Sequence, residues 1–327
     1  NKKRKVAKEE MENLYNKLSS DEKNVIQSFV NLGGSVLTWS QMDSLELPSS
    51  GVESLIQREI LWTGYTADGT RETFVLDTNI FDVIDFGSFV SPKAVPQMAD
   101  TEMVYRGLDV SRTSTKLLAI VANKKGFENA QAFENISILG YPFSVSETFQ
   151  LRNTNATREE SLDVVAEMQA KLAGTKQSLR IYISMGFGNP YGDEWSVEMT
   201  CAYIQKLYDR GVRSFALSDT VGSARVEDIT NVFEQANALF PEALFSAHFH
   251  TLPHAWKEKI DAADLAGCRH FDGAILGFGG CPFAKDELTG NMPTEKLLSY
   301  LTNIEPSRLT ELAFQFKQFI ARDSFVS

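Results

Sequence analysis

From about residue 80 onward the chain alternates between two kinds of pattern. Short apolar runs, rich in β-branched and aromatic residues, fall at 82–86, 116–121, 136–139, 179–184, 214–217, 244–247 and 271–276. Between them lie longer stretches with helical character, including 158–173, 196–209, 226–238 and 254–266. Strand-like runs alternating with helical segments predict βαβ units around a parallel sheet. Seven such units between residues 82 and 302 predict an α/β chain with a (β/α)₈ TIM-type barrel, one strand short of closure. Polar and glycine-rich residues follow the runs: Gly87-Ser88, Asn123, Gly186-Phe187-Gly188, Ser218-Asp219, His248-Phe249-His250 and the stretch from Gly277 to Gly280. In a barrel all of these gather on the C-terminal rim, where active sites are built.

The first 80 residues read differently. A charged helix over 7–18 leads to Ser20 as N-cap and a second helix over 21–32, which Gly33-Gly34 ends. A short strand at 35–39, helices at 40–45 and 51–60, and a hairpin of 61–65 with 72–76 across Ala67-Asp68-Gly69-Thr70 complete the segment. That order resembles a winged helix-turn-helix in pattern only, a small α+β unit of the kind that binds DNA or protein. Acidic side chains outnumber basic ones there, and the recognition-helix position offers Arg58 against Glu53 and Glu59, which favours protein contact or packing. At the other end, Leu309, Leu312, Phe316, Phe319 and Ile320 form one face of a closing helix. The expected domains are 1–80, 81–303 and the C-terminal helix 304–327.

Composition narrows the class. Hydrophobic residues at 43% and charged residues at 23% suit an ordinary globular protein. A net charge of −11 makes nucleic acid an unlikely partner, because phosphate binding needs a basic surface. The basic cluster Lys2-Lys3-Arg4-Lys5 is read as a solvated terminus. No apolar run approaches the ~20 residues of a membrane helix, and no signal-peptide layout is seen. Cys201, Cys268 and Cys281 are too few and too scattered for a disulfide framework, so reduced thiols and a cytoplasmic location are expected.

Two constellations carry chemistry. His248 and His250 are alternate residues at a strand end, so both imidazoles face one way, an arrangement suited to a divalent metal. The run Gly277-Phe278-Gly279-Gly280-Cys281-Pro282 lets the backbone turn tightly and exposes a thiol able to exchange a proton. Cys201 and Cys268 read as core, and His254 and His270 as structural or surface residues.

Together with Phe89-Val90-Ser91-Pro92-Lys93, Pro96-Gln97-Met98-Ala99-Asp100, Ser218-Asp219-Thr220-Val221-Gly222 and Gly290-Asn291, these motifs resemble those of the 3-hydroxy-3-methylglutaryl-CoA lyase family, in its order and at its spacings. The resemblance implies a metal-dependent barrel over about 82–302 that cleaves an acyl-CoA substrate to acetyl-CoA and acetoacetate. A base takes the tertiary hydroxyl proton, the C–C bond breaks, and the enolate is protonated. It implies a divalent cation, Mg²⁺ or Mn²⁺, held by His248, His250 and Asn291, with Cys281 as the mobile-loop thiol. It also implies acidic site residues at Asp219, Glu295 and Asp85, the last where the family usually has glutamate, and it allows a homodimer.

One departure stands out. The family's first strand carries an Arg-Asp pair, a metal ligand and an enolate stabiliser, and no such pair precedes Asp85 at the right distance. Asp68 to Glu72 and Asp77 are in the wrong order or lack the intervening helix. Three neutral ligands hold a hard cation poorly. Asp77 or another carboxylate would complete the shell, and residues 73–76 or a second chain would fill the strand. The competing expectation is a catalytically impaired lyase-like scaffold or fusion whose N-terminal segment binds protein or DNA.

Overall fold

A computed structural model of the chain describes residues 17–31, 36–38, 52, 55, 61–65, 72–76, 82–93, 95–108, 110, 113–252, 254–280 and 289–301. The chain divides into one compact unit of residues 1–80 with 298–327 and a second of residues 81–297.

In the first unit, helix α1 (Ser20–Asn31) begins one residue away from the expected cap. Ser19, not Ser20, is the N-cap: its Oγ accepts from Glu22 N at 3.2 Å while Glu22 Oε2 accepts from Ser19 N at 2.6 Å. This reciprocal pairing satisfies two backbone donors that a helix start leaves open, which a lone Ser20 could not do. Strands β1 (Val36–Thr38), β2 (Leu61–Tyr65) and β3 (Glu72–Leu76) form an antiparallel sheet with β3 in the centre. The predicted hairpin forms in the register Leu61 opposite Leu76. The helices expected at 7–18, 40–45, 51–60 and 304–327 lie wholly or largely outside the described residues.

The second unit is a sheet of seven parallel strands in chain order: β4 (Val83–Ser88), β5 (Lys116–Ile120), β6 (Ile136–Ser144), β7 (Ser178–Ser184), β8 (Ser214–Asp219), β9 (Leu244–Phe249) and β10 (His270–Asp272). Parallel neighbours need a crossover connection, and helices supply it. They are α2 (Thr101–Gly107), α3 (Lys124–Gln131), α4 (Glu147–Thr154), α5 (Arg158–Leu172), α6 (Val197–Asp209), α7 (Val226–Leu239) and α8 (Trp256–Leu265). Local sequence sets several starts: the side chains of Asn123, Ser146, Thr157 and Ser196 each accept a backbone N–H of the helix they precede.

Alternation along the strands separates two environments. Outward-facing Leu179, Ile181, Ile183, Phe215, Leu217, Phe245 and Phe249 are buried with the helices, and Phe215 stacks on Phe245 at 5.5 Å. The inward set is polar: Arg180, Tyr182 and Ser184 on β7, Ser218 on β8, and Ser246 and His248 on β9. Barrel interiors are usually packed with branched aliphatic side chains, so a polar interior marks the part of the fold committed to a site.

The count of seven strands agrees with the sequence. Among the described residues no strand pairs with the outer edges of β4 or β10. The suggestion that 73–76 fills that gap is not met, because those residues belong to β3 and pair with β1 and β2. The last strand is also shorter than the predicted 271–276. A Cβ at Gly273 would lie 2.7 Å from Leu297 Cδ1, and Ala274 then bonds Met292 O and Thr294 N, both at 2.9 Å. The chain thus leaves the sheet for residues 292–294 and turns through Ile275–Gly277. No helix among the described residues is long and apolar enough to cross a membrane.

Gly140 tests the packing of the interior. A Cβ there would lie 2.7 Å from Ile120 Cδ1 and 2.8 Å from Tyr182 Cε2. Gly140→Ala is expected to cost about 1–3 kcal/mol through overpacking, read from the midpoint of urea unfolding.

Candidate active site

A cavity of about 240 Å³ opens at the C-terminal ends of the strands, lined among others by Asp85, Tyr182, Ser218, His248, His250, Gly280 and Asn291. Asp85 comes from β4, His248 from β9, His250 from just beyond β9, and Asn291 from the segment that bridges antiparallel to His250. Of the residues expected at the site, these four converge on one space.

Both imidazoles are held by one nitrogen. His250 Nδ1 lies 3.0 Å from Thr289 O, and His248 Nδ1 lies 3.1 Å from Asp272 Oδ2. A carbonyl oxygen only accepts, as does an ionised carboxylate, so each Nδ1 carries a proton and donates it, and Nε2 is the ring nitrogen left for another partner. Burial lowers the His250 imidazole to about 4, helped by the neighbouring His248, so it is neutral near pH 7. The two rings stand 5.8 Å apart at 61°.

Asn291 is oriented from its other end. Its Nδ2 donates to Phe278 O at 2.8 Å and its backbone N to Gly277 O at 2.9 Å, which leaves Oδ1 as the side-chain acceptor. Gly277 has φ +66°, and a Cβ there would sit 2.7 Å from Asn291 O, so glycine is required on two counts. Glu295 does not line the cavity: its Oε2 accepts from Leu276 N at 3.0 Å, where Leu276 takes a left-handed φ of +58°. Glu295 therefore anchors the base of the glycine loop. Cys281 lies outside the described residues; the adjacent Gly280 borders the cavity.

The two aspartates differ. Asp85 is exposed, its carboxyl opening onto the cavity, yet the surrounding barrel wall strips enough water from it to raise it to about 7, against the pull of Gly87 N–H and His248. Asp219, expected at the site, is turned from it: Ser218 and Thr220 line the cavity, and the residue between them faces the helix layer. Asp219 is 2% exposed, and its carboxylate accepts from Lys259 Nζ at 2.5 Å and Ala224 N at 3.2 Å. Burial pushes its carboxyl up while the Lys259 ammonium pulls it down. Lys259 also donates to Gly222 O at 2.7 Å and His250 O at 3.1 Å. One buried ammonium thus ties the turn after β8 to the end of β9 that carries His250.

Sequence reasoning missed three groups. Arg180 lies inside the barrel and donates through Nη2 to Asp272 Oδ1 at 2.7 Å, to Oδ2 at 2.8 Å and to Ser246 Oγ. Burial alone would raise Asp272, but the Arg180 guanidinium and the His248 bond bring it to about 2. A charged residue within an apolar run, as Arg180 and Asp272 are, was the available signal. Lys259 carried none, since a lysine in an amphipathic helix ordinarily faces water.

The donor set fits a divalent cation: two imidazoles each held through Nδ1, an amide oxygen and a nearby carboxylate. Among the described residues no group of three or more His, Cys, Asp or Glu side chains closes by itself around an ion, so the amide oxygen would have to take part. Fold and site together define a parallel, barrel-like α/β protein with a histidine–asparagine–carboxylate centre on its C-terminal rim.

The comparisons narrow this class. HMGL-like proteins match residues 74–324, and the chain belongs to this hydroxymethylglutaryl-CoA lyase family. It is 32% identical over 220 residues to a hydroxymethylglutaryl-CoA lyase of Pseudomonas mevalonii, covering 67% of this chain and 71% of that relative. A Bacillus subtilis hydroxymethylglutaryl-CoA lyase is 30% identical over 264 residues, covering 79% and 87%. The crystal structure of the Bacillus subtilis HMG-CoA lyase superposes with a TM-score of 0.67 at 29% identity, over 73% of this chain and 82% of that one. An HMG-CoA lyase from Acinetobacter baumannii, in complex with coenzyme A and 3-methylmalate, gives 0.65 at 29% identity, over 71% and 77%.

Lys259→Met would leave Asp219 as an unpaired buried carboxylate, with an expected loss of about 3–5 kcal/mol in thermal unfolding. Lys259→Met with Asp219→Leu, which removes both charges, is expected to recover most of that loss.

Proposed function

We propose that this chain is a carbon–carbon lyase that cleaves 3-hydroxy-3-methylglutaryl-CoA, or a closely related 3-hydroxyacyl-CoA, into an acyl-CoA and a 3-keto acid. The observation that carries it is the meeting of Asp85, His248, His250 and Asn291 on one cavity, with both histidines tautomerically fixed. A passive scaffold has no use for that arrangement. His248, His250 and Asn291 would hold a divalent cation, Mg²⁺ or Mn²⁺, and that charge lowers the cost of forming an alkoxide from the substrate hydroxyl. Asp85 is the base that takes the hydroxyl proton. Cys281, at the end of the glycine loop beside Gly280, is the proton donor to the acetyl-CoA enolate. Asp219 and Glu295 act as positioning residues, the first for the turn after β8 and the second for the glycine loop.

The first-strand Arg-Asp pair of the family has no counterpart in the sequence, so part of the usual charge stabilisation must come from elsewhere or be forgone. We further propose a winged-helix-like unit over 1–80 that contacts protein, followed by the lyase-like barrel at 81–303 and a C-terminal helix at 304–327. The order of α1, β1 and the β2–β3 hairpin supports this reading of the first unit.

The test is metal content together with acetoacetate release from 3-hydroxy-3-methylglutaryl-CoA. Bound Mg²⁺ or Mn²⁺ with turnover, and loss of both in His248→Ala, is the expected result. A metal-free protein without turnover would sink the lyase reading, and metal binding without turnover would leave a lyase-like scaffold. As base, Asp85 must be deprotonated, so kcat/KM is expected to rise with pH through a limb at or below about 7, since a bound cation moves it downward. Asp85→Asn should remove the limb and lower kcat about 10²–10⁴-fold.

A further inference from the structure

One level below the cavity the barrel holds a charged chain that the proposed reaction does not use. Strand register sets Asp272 of β10 directly beside His248 of β9, and Arg180 of β7 reaches across the interior to the same carboxylate. Arg180 is 8% exposed and Asp272 is its ion-pair partner, so the carboxylate that meets His248 Nδ1 is also anchored by a buried guanidinium. Arg180 applies a single nitrogen, Nη2, to both carboxylate oxygens and to Ser246, while its Nε is buried with no hydrogen-bond partner among the described residues. The guanidinium is therefore committed to Asp272. Tyr182 sits edge-on to the His248 ring at 5.1 Å and 83°, with the Arg180 guanidinium 5.3 Å from the Tyr182 centroid, which limits ring rotation.

We propose that Asp272, anchored by Arg180, is a positioning residue that fixes His248 with its proton on Nδ1 and so keeps Nε2 available to a divalent cation. The inference rests on the metal-site reading given above, but not on the identity of the acyl substrate. Carboxylates in this place orient ligating histidines, and their loss typically weakens metal binding 10–100-fold. An ion pair that merely filled the barrel would not need to reach His248, and its neutral replacement would leave the imidazole unchanged.

Asp272→Asn separates these cases. Its amide oxygen would turn to Arg180, which only donates, and its NH₂ would face His248 Nδ1, moving the imidazole proton to Nε2. The experiment is ¹⁵N-histidine NMR of the metal-free protein at a pH of about 9, where imidazoles are neutral, with His248→Gln assigning the resonance. Mn²⁺ titration of the same proteins accompanies it. The expected results are an Nδ1–H tautomer in the unaltered protein, an Nε2–H tautomer in Asp272→Asn, and Mn²⁺ affinity about 10–100-fold lower in the variant. An Nε2–H tautomer in the unaltered protein would overturn the proposal without any variant having to fold. So would unchanged tautomer and Mn²⁺ affinity in Asp272→Asn. If the unaltered protein bound no Mn²⁺, the metal-site reading would fail and take this role with it; Mn²⁺ binding that ignores Asp272 would overturn the positioning role alone.

Discussion

A parallel sheet sends every second side chain into its concave interior, and here that interior contains a guanidinium, two carboxylates and two imidazoles. Charges so placed cost several kcal/mol each in desolvation unless they are paired and hydrogen-bonded. The Arg180–Asp272–His248 chain meets that requirement with three side chains from three different strands, at 2.7 and 3.1 Å. The rest of the site depends on it. Asp272 can hold His248 only because Arg180 neutralises it, and His248 can present Nε2 only because Asp272 accepts the hydrogen bond from Nδ1–H.

The second histidine is fixed differently. His250 lies just beyond β9, where the sheet no longer supplies its neighbours, and residues 289–291 pack against it instead. Lys259 then ties the His250 carbonyl to Asp219 and Gly222 from the helix layer. The glycine loop joins the same arrangement, since Gly277 and Phe278 hold the backbone and side chain of Asn291. The rim of the barrel is thus bonded to itself across loops that follow different strands. Pre-organisation of this kind means that a ligand arriving at the cavity does not have to order its own binding groups.

Asp85 is the exception. It stands on the edge strand β4 and, among the described residues, accepts a 3.4 Å bond from Gly87 N–H and makes no ion pair. A carboxyl in that position is costly to ionise, which is why it is held near 7. The same poverty of partners leaves it free to take a proton or to meet a cation. Stability is given up where chemistry is needed, as sites of function commonly require.

Patterning by itself determined the class of fold, the seven strands, most helix bounds to within two residues, and the placement of His248 and His250 at one strand end; Asp85 and Asn291 came from the resemblance of the motifs around them. Those features are written in periodicity, in glycine placement and in motifs whose neighbours in sequence are also neighbours in space. Tertiary structure decided the rest. The resemblance placed Asp219 at the site, but alternation turns it outward to Lys259, a partner 40 residues away. Glu295 looked equally acidic and available, yet it braces Leu276. Arg180 and Asp272 are 92 residues apart, and nothing local announces that they meet inside the barrel. Partnerships of buried charge are set by which strands lie side by side and which face each residue takes, and a linear chain shows the faces without showing the neighbours.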